Sequence, residues 1–379
     1  MLHVERRTRD FLLLGTFTLG ACTLLNPLEG YSSGNPAVAD ASVRFDGEVP
    51  EASFDSAVEA GSEACVGAVP PAPPPRGGVE GSREIQLAFS SFDFSDVSGP
   101  SDPNTRGYNL DGYCTVSAAG GSCRAKRATV QDFAQGVDNS AGGFLLSLTT
   151  LIRSVPETEK IRAGQRGQLM RIRNYNELDD DDSVEVGIYN TGGFEAADGG
   201  PTAPKRDGTD VWSVDSRSVL GGASYDPVVA DIKAYVRGGV LVAKLSNYDI
   251  RLASYVVPVA SGVLSARITK TSTGRFALED GIFSGRINAQ ELLTKLDTLR
   301  NPITGTFLCG TDSVFTGLRD QFCQSVLDIP TDPAASKDAP CDAASFAIRY
   351  TAVEAKLGRI VTLPPAERGC GSTWVGRCE

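Results

Sequence analysis

Residues 228–269, VVADIKAYVRGGVLVAKLSNYDIRLASYVVPVASGVLSARIT, decide the fold. Val228–Val236 and Val240–Leu245 read as two strands of a hairpin, turned at Arg237-Gly238-Gly239. Ile250–Val259 and Val263–Thr269 continue the β pattern. Upstream, Ile85–Phe89 places apolar residues on alternate positions, and Leu169–Asn174 and Ser183–Tyr189 form two strands joined by the acidic turn Glu177–Asp182. Downstream, Phe276–Phe283 is a strand with a bulge or turn at Asp280-Gly281. Phe346, Ile348 and Tyr350 mark a late strand that rejoins the sheet. Helical spacing is limited to Gly143–Arg153 and to two stretches near 288–299 and 313–327. In the first of those two, Asn288 and Glu291 resemble a capping box. No internal repeat is present. Many short strands, with 41 Gly and 21 Pro to turn them, predict a mainly β antiparallel sandwich, jelly-roll-like, over residues 83–360. The late helices are expected on one face or end of it.

The composition excludes much chemistry. In 379 residues there is one histidine, His3. If the N-terminus is removed on export, no histidine remains for a Ser-His-Asp or Cys-His nucleophile, an HExxH zinc site or any His-bearing metal site. The 36 Lys+Arg stand against 47 Asp+Glu, a net charge of −11, which argues against a nucleic-acid partner because phosphate binding needs a basic face. No GxxxxGK[ST], GxSxG or strand-linked GxGxxG occurs.

The N-terminus carries an address. Arg6, Arg7 and Arg9 precede a short apolar run, Phe11–Leu19, too brief to span a bilayer. It ends in Leu19-Gly20-Ala21-Cys22, which resembles the lipobox of bacterial lipoproteins. That resemblance implies cleavage of residues 1–21 and lipid on Cys22, and with it an exported protein held at the cell envelope. Thr23, in place of an inner-membrane retention Asp, favours the outer membrane. Residues 22–82 read as a Pro/Gly/Ser-rich tether, stiffened by the proline run at 70–75. The lipobox and tether, together with Gly107-Tyr108-Asn109-Leu110-Asp111-Gly112, Asp138-Asn139 and Cys341-Asp342-Ala343, resemble a group of uncharacterised envelope lipoproteins of soil delta-proteobacteria. The resemblance implies no activity.

Apart from Cys22, eight cysteines remain, an even number that reads as disulfides in an exported chain. Short separations suggest Cys114–Cys123, Cys309–Cys323 and Cys370–Cys378, leaving Cys65–Cys341. Residues 361–379 then form a disulfide-closed tail.

Three groups of side chains suggest chemistry. Asp93, Asp96, Asp102, Asn109, Asp111, Asp138 and Asn139 lie in turn-rich loops. Hard oxygen ligands of this kind suit calcium, and they equally suit the capping of backbone N–H groups. Asp179–Asp182 read as a solvated turn, with a calcium or cationic-partner site as the other reading. Glu185, Glu195, Glu279 and Asp210 are candidates for a paired-carboxylate glycoside hydrolase, the enzyme class that needs no histidine. Trp212, between Val211 and Val214, reads as core rather than as a sugar platform. The expectation is a lipid-anchored envelope protein with a non-catalytic binding or structural role, its partner a glycan or envelope protein. The alternative is the histidine-free glycosidase.

Overall fold

The computed structural model describes residues 67–93, 106–115, 121–126, 131–151, 157–165, 167–196, 203–221, 224–252, 255–371 and 373–378. The expectations at the signal segment, Cys22, Cys65, Asp96 and Asp102 lie outside these residues. In chain order the strands are β1 (Arg83–Asp93), β2 (Gln168–Tyr175), β3 (Asp181–Asn190), β4 (Gly193–Phe194), β5 (Val211–Asp215), β6 (Val229–Arg237), β7 (Val240–Arg251), β8 (Val256–Lys270), β9 (Phe276–Asn288), β10 (Ala343–Glu354) and β11 (Lys356–Val361). The helices are α1 (Ser140–Leu151), α2 (Glu157–Arg162), α3 (Ala289–Lys295) and α4 (Ser313–Ser325). The segment read as one strand over 250–259 is in fact divided between β7 and β8, with Leu252 N donating to Tyr255 O at 3.0 Å.

The molecule is mainly β, but it is not a sandwich. β1, β2, β3, β6, β7, β8, β9 and β10 form a closed barrel in that order, every neighbouring pair antiparallel. Closure rests on β1, where Leu87 pairs with Met170 of β2 on one side and with Glu354 of β10 on the other. A sandwich and a barrel share the same inward apolar alternation, so the sequence pattern cannot separate them. The difference lies in whether the first and last strands meet.

The interior is filled by side chains, as eight strands require. Leu87, Met170, Val186, Leu241, Leu264 and Phe346 belong to one buried cluster. Phe89 tilts against Tyr350 at 5.0 Å, and Tyr248 meets Phe283 edge-on at 5.6 Å. Outward positions carry Arg171, Arg173, Glu185 and Lys244. That arrangement is the reverse of a membrane-spanning barrel, whose outer band is apolar. Among the described residues no helix is long and apolar enough to cross a membrane.

Strict up-and-down order puts the connections 94–167, 191–228 and 289–342 at one end of the barrel. At the opposite end the barrel strands are joined by the short turns 176–180, 238–239 and 271–275. The helices of the long connections extend the interior core. Phe144 of α1 packs on Phe322 of α4 at 4.8 Å, and Leu145, Leu148, Leu292 and Leu296 join the same cluster. β1 reaches β10 only over 349–354, and α1 lies along the remainder. There, Asn139 Oδ1 accepts from Ala347 N at 2.8 Å and Asp328 Oδ1 from Ser345 N at 2.7 Å. Side chains thus satisfy the ladder groups that β1 leaves open.

A second, smaller core lies on the outer face of β1, β2 and β3. The three-stranded sheet β11-β5-β4 brings Trp212 and Val214 against Ala88, Leu169 and Tyr189. Trp212 is buried and meets Phe194 edge-on at 6.0 Å, which is the core position expected for it. The described part of the tether, 67–82, also lies on the barrel. Pro71 O accepts from Tyr235 Oη at 2.5 Å, and Gly77 N donates to Asp182 at 2.8 Å.

The disulfides differ from the short-range pairings. Cys123 bonds Cys341, Cys309 bonds Cys370 and Cys323 bonds Cys378. Cys114 is also disulfide-bonded, to a cysteine outside the described residues. Spacing favoured small loops, whereas the fold brings the 121–126 segment beside 339–341, with Arg124 N on Ala339 O at 2.8 Å and Cys341 N on Arg124 O at 3.1 Å. The tail is tied to α4 and to the segment preceding it.

Candidate functional site

At the long-loop end, the outer face of β9 and β10 is covered by segments 106–115, 121–126 and 131–139. Arg286 points outward from β9 beneath them and is 3% exposed. Its guanidinium donates to Pro330 O at 2.7 Å and Leu110 O at 2.6 Å, so its hydrogen bonds go to carbonyls. The carboxylates of Asp111, Asp138, Asp328 and Asp332 act on it, and Asp132 stands beside Asp138.

Each carboxylate holds backbone. Asp138 Oδ2 accepts from Leu110 N at 2.6 Å, and Asp132 Oδ2 from Thr115 N at 2.5 Å. Asp111 accepts from Tyr113 N at 2.9 Å and Ser122 Oγ at 2.6 Å. Asp328 takes both the N–H and the hydroxyl of Ser345. Asp138 is 1% exposed and its Oδ1 accepts no hydrogen bond from a described donor. Burial, reinforced by Asp111, Asp328 and Asp132, pushes the Asp138 carboxyl well above the usual range. Burial raises Asp132 to about 7 and Asp328 to about 6, against the hydrogen bonds that favour their charged forms. Burial also lowers Arg286. Asp138 and Arg286 are the buried charged side chains here, and burial favours the protonated form of Asp138.

Of the residues expected to ligate calcium, the structure brings Asn109, Asp111, Asp138 and Asn139 to this end. Asn109 Oδ1 accepts from Gly112 N at 2.6 Å, and Asn139 serves β10. Asp93 stands apart, ion-paired with Arg349 at 2.6 Å. Among the described residues no three His, Cys, Asp or Glu side chains gather closely enough to hold a metal ion. Asn109, Asp111 and Asp138 each accept from a backbone N–H in this segment. The adjoining cavity, lined by Asp111, Tyr113, Ser122, Arg286, Pro330 and Lys337, has a volume of about 80 Å³.

The acidic turn is not uniformly solvated. Asp181 is 1% exposed and accepts from Asn176 N at 2.7 Å, while Asp180 accepts from Arg237 Nη1 at 2.8 Å and Gly238 N at 2.9 Å. The four glycosidase candidates do not assemble. Asp210 caps Lys205 N and Arg206 N, Glu195 holds Arg359 N, Glu279 is exposed, and Glu185 pairs with Arg173.

A larger cleft, about 240 Å³, opens on the outer face of β2, β3 and β6. In register, Gly187 of β3 lies between Arg171 of β2 and Ala230 of β6. A glycine beside an alanine leaves a hollow there. Pro227 roofs part of it, since a Cβ at Gly187 would lie 2.6 Å from Pro227 Cγ. One wall holds Arg171, Arg173 and Glu185; the other holds Ile232 and Leu220, 69% and 73% exposed. Arg171 Nη2 donates to Glu84 at 2.7 Å and Nη1 to Tyr225 O at 3.2 Å. Arg173 pairs with Glu185 and stands 3.9 Å from Asp226. Sequence reasoning passes over this cleft, because alternating arginines on a strand read as an ordinary solvated face.

Comparison of the chain with protein-family models, with curated proteins and with solved structures gives no match.

Proposed function

We propose that this chain is an exported envelope protein, anchored by lipid on Cys22, whose barrel has a non-catalytic binding or structural role. The observation that carries the reading is Leu19-Gly20-Ala21-Cys22 behind a basic, apolar start. The disulfides support it, because they persist in oxidising compartments. The charged outer face of the barrel supports attachment by acyl chains rather than by spanning strands. The raised carboxyls support a non-catalytic role: they are engaged with backbone N–H groups and adjoin a cavity of only about 80 Å³, smaller than substrate pockets generally are.

The test is expression of the full chain in a bacterial host fed an alkyne fatty acid. The wild-type protein is expected to take up label, to lose residues 1–21 and to sediment with outer membranes. Cys22→Ser is expected to remain unlabelled and unprocessed. Label retained in Cys22→Ser, or a wild-type protein that stays unlabelled, overturns the reading.

A further inference from the structure

We propose that the cleft on β2, β3 and β6 is a binding site for a neutral saccharide unit. The proposal rests on the envelope reading only for where the ligand would be met; the site stands on its own geometry. The first ground is space. Gly187 and Ala230 are neighbours on the outer face of a barrel whose other side is packed solid. Two small residues side by side leave a hollow of about 240 Å³ open to solvent.

The second ground is charge balance. Arg171 and Arg173 bring two positive charges to the lining, and Glu185 and Asp226 bring two negative ones, while Glu84, outside the lining, pairs with Arg171. Each guanidinium already has a carboxylate partner. An anionic ligand would have to displace one of them and leave it unpaired, and a cationic one would face both arginines. An uncharged ligand disturbs neither pair. Planar guanidinium and carboxylate edges, fixed by one another, offer donors and acceptors side by side. That arrangement matches vicinal hydroxyl groups, each of which donates and accepts.

The third ground is the opposite wall. Ile232 and Leu220 are largely exposed, and Pro227 packs over Gly187 at the floor. Exposed aliphatic side chains facing a polar wall suit a ring with one C–H face and a hydroxylated edge. A wholly apolar ligand would strand the arginine wall without water.

The experiment uses the purified full chain and isothermal titration with neutral gluco-, manno-, galacto- and N-acetylglucosamine oligosaccharides, alongside uronic-acid oligomers. At least one neutral series is expected to bind, and the uronic-acid series at least tenfold more weakly. Ala230→Trp places an indole in the hollow from an exposed position, and it is expected to weaken binding at least tenfold with the melting temperature unchanged. Ile232→Ser, a milder change on the other wall, should weaken it severalfold. No binding by any neutral oligosaccharide, preference for the uronic acids, or binding indifferent to both variants overturns the proposal. The lipidation assay is independent of this one, so saccharide binding by an unlipidated protein would sink the anchor and leave the site standing.

Discussion

The Cys123–Cys341 bond offers the sharpest test of the fold. It joins residues 218 apart and holds the 106–139 cover to the segment leading into β10. The other two described bonds close 61 and 55 residues, and a path from Cys123 to Cys341 through either of them is about as long as the direct one or longer. In the chain-entropy picture, a loop of that length restricts the unfolded chain by about 5 kcal/mol, against about 4 kcal/mol for the shorter two. Engineered comparisons usually yield less, so the paired substitution Cys123→Ala/Cys341→Ala is expected to cost about 3–5 kcal/mol. Alanine is preferred to serine because both positions are buried, at 4% and 5% exposure, and a buried hydroxyl would add its own penalty. Urea unfolding under non-reducing conditions, followed by far-UV circular dichroism, gives the loss directly from the midpoint and slope. The double variant should also unfold earlier than Cys309→Ala/Cys370→Ala. A loss under about 1 kcal/mol, or the opposite order of the two variants, would refute the long-loop staple.

Asp132 carries a pH dependence of defined sign. Its folded value, about 7, lies above the unfolded value of 3.8, so the native state holds a proton that the unfolded chain releases. Stability should fall by about 1–2 kcal/mol between pH 4 and 7, after allowance for solvent screening. Asp132→Asn should flatten that slope in melts recorded at stepped pH, and an unchanged slope would rule Asp132 out. At Gly281 of β9 an added Cβ would sit 2.6 Å from Tyr350 O and 2.7 Å from its ring. Gly281→Ala should therefore cost about 1–3 kcal/mol by overpacking, read from urea midpoints, and a neutral result would contradict the β9–β10 register. Cys114 is disulfide-bonded, and its partner must be Cys22 or Cys65. Non-reducing peptide mapping should find Cys65, because a lipidated Cys22 has no free sulfur; a Cys22–Cys114 peptide would count against the anchor as well.

Strand positions were legible because an inward apolar residue every second position leaves its mark wherever a sheet has one dry face. Met170, Val186, Leu241 and Leu264 all sit in runs that the alternation picks out. Barrel closure was not legible. It depends on Leu87 meeting Glu354, a pairing that neither strand announces. The disulfides failed for a related reason: nearness along the chain stood in for nearness in space. The acidic end was half legible. Asn109, Asp111, Asp138 and Asn139 stood out as turn residues, whereas Asp132, Asp328 and Arg286 did not. Arg286 looks like any outward strand residue until a loop is laid over it. The cleft was silent because it is made by what Gly187 and Ala230 lack.

The meeting of β1 with β10 also bears on when this protein can fold. The first barrel strand finds its last neighbour only after about 260 more residues have been made, and such distant pairing slows folding. Until residue 354 arrives, β1 and the growing end of the sheet both present bare edges, which invite pairing with other chains. The same delay makes truncation costly: a chain stopped before β10 is expected to aggregate rather than to yield a smaller stable domain.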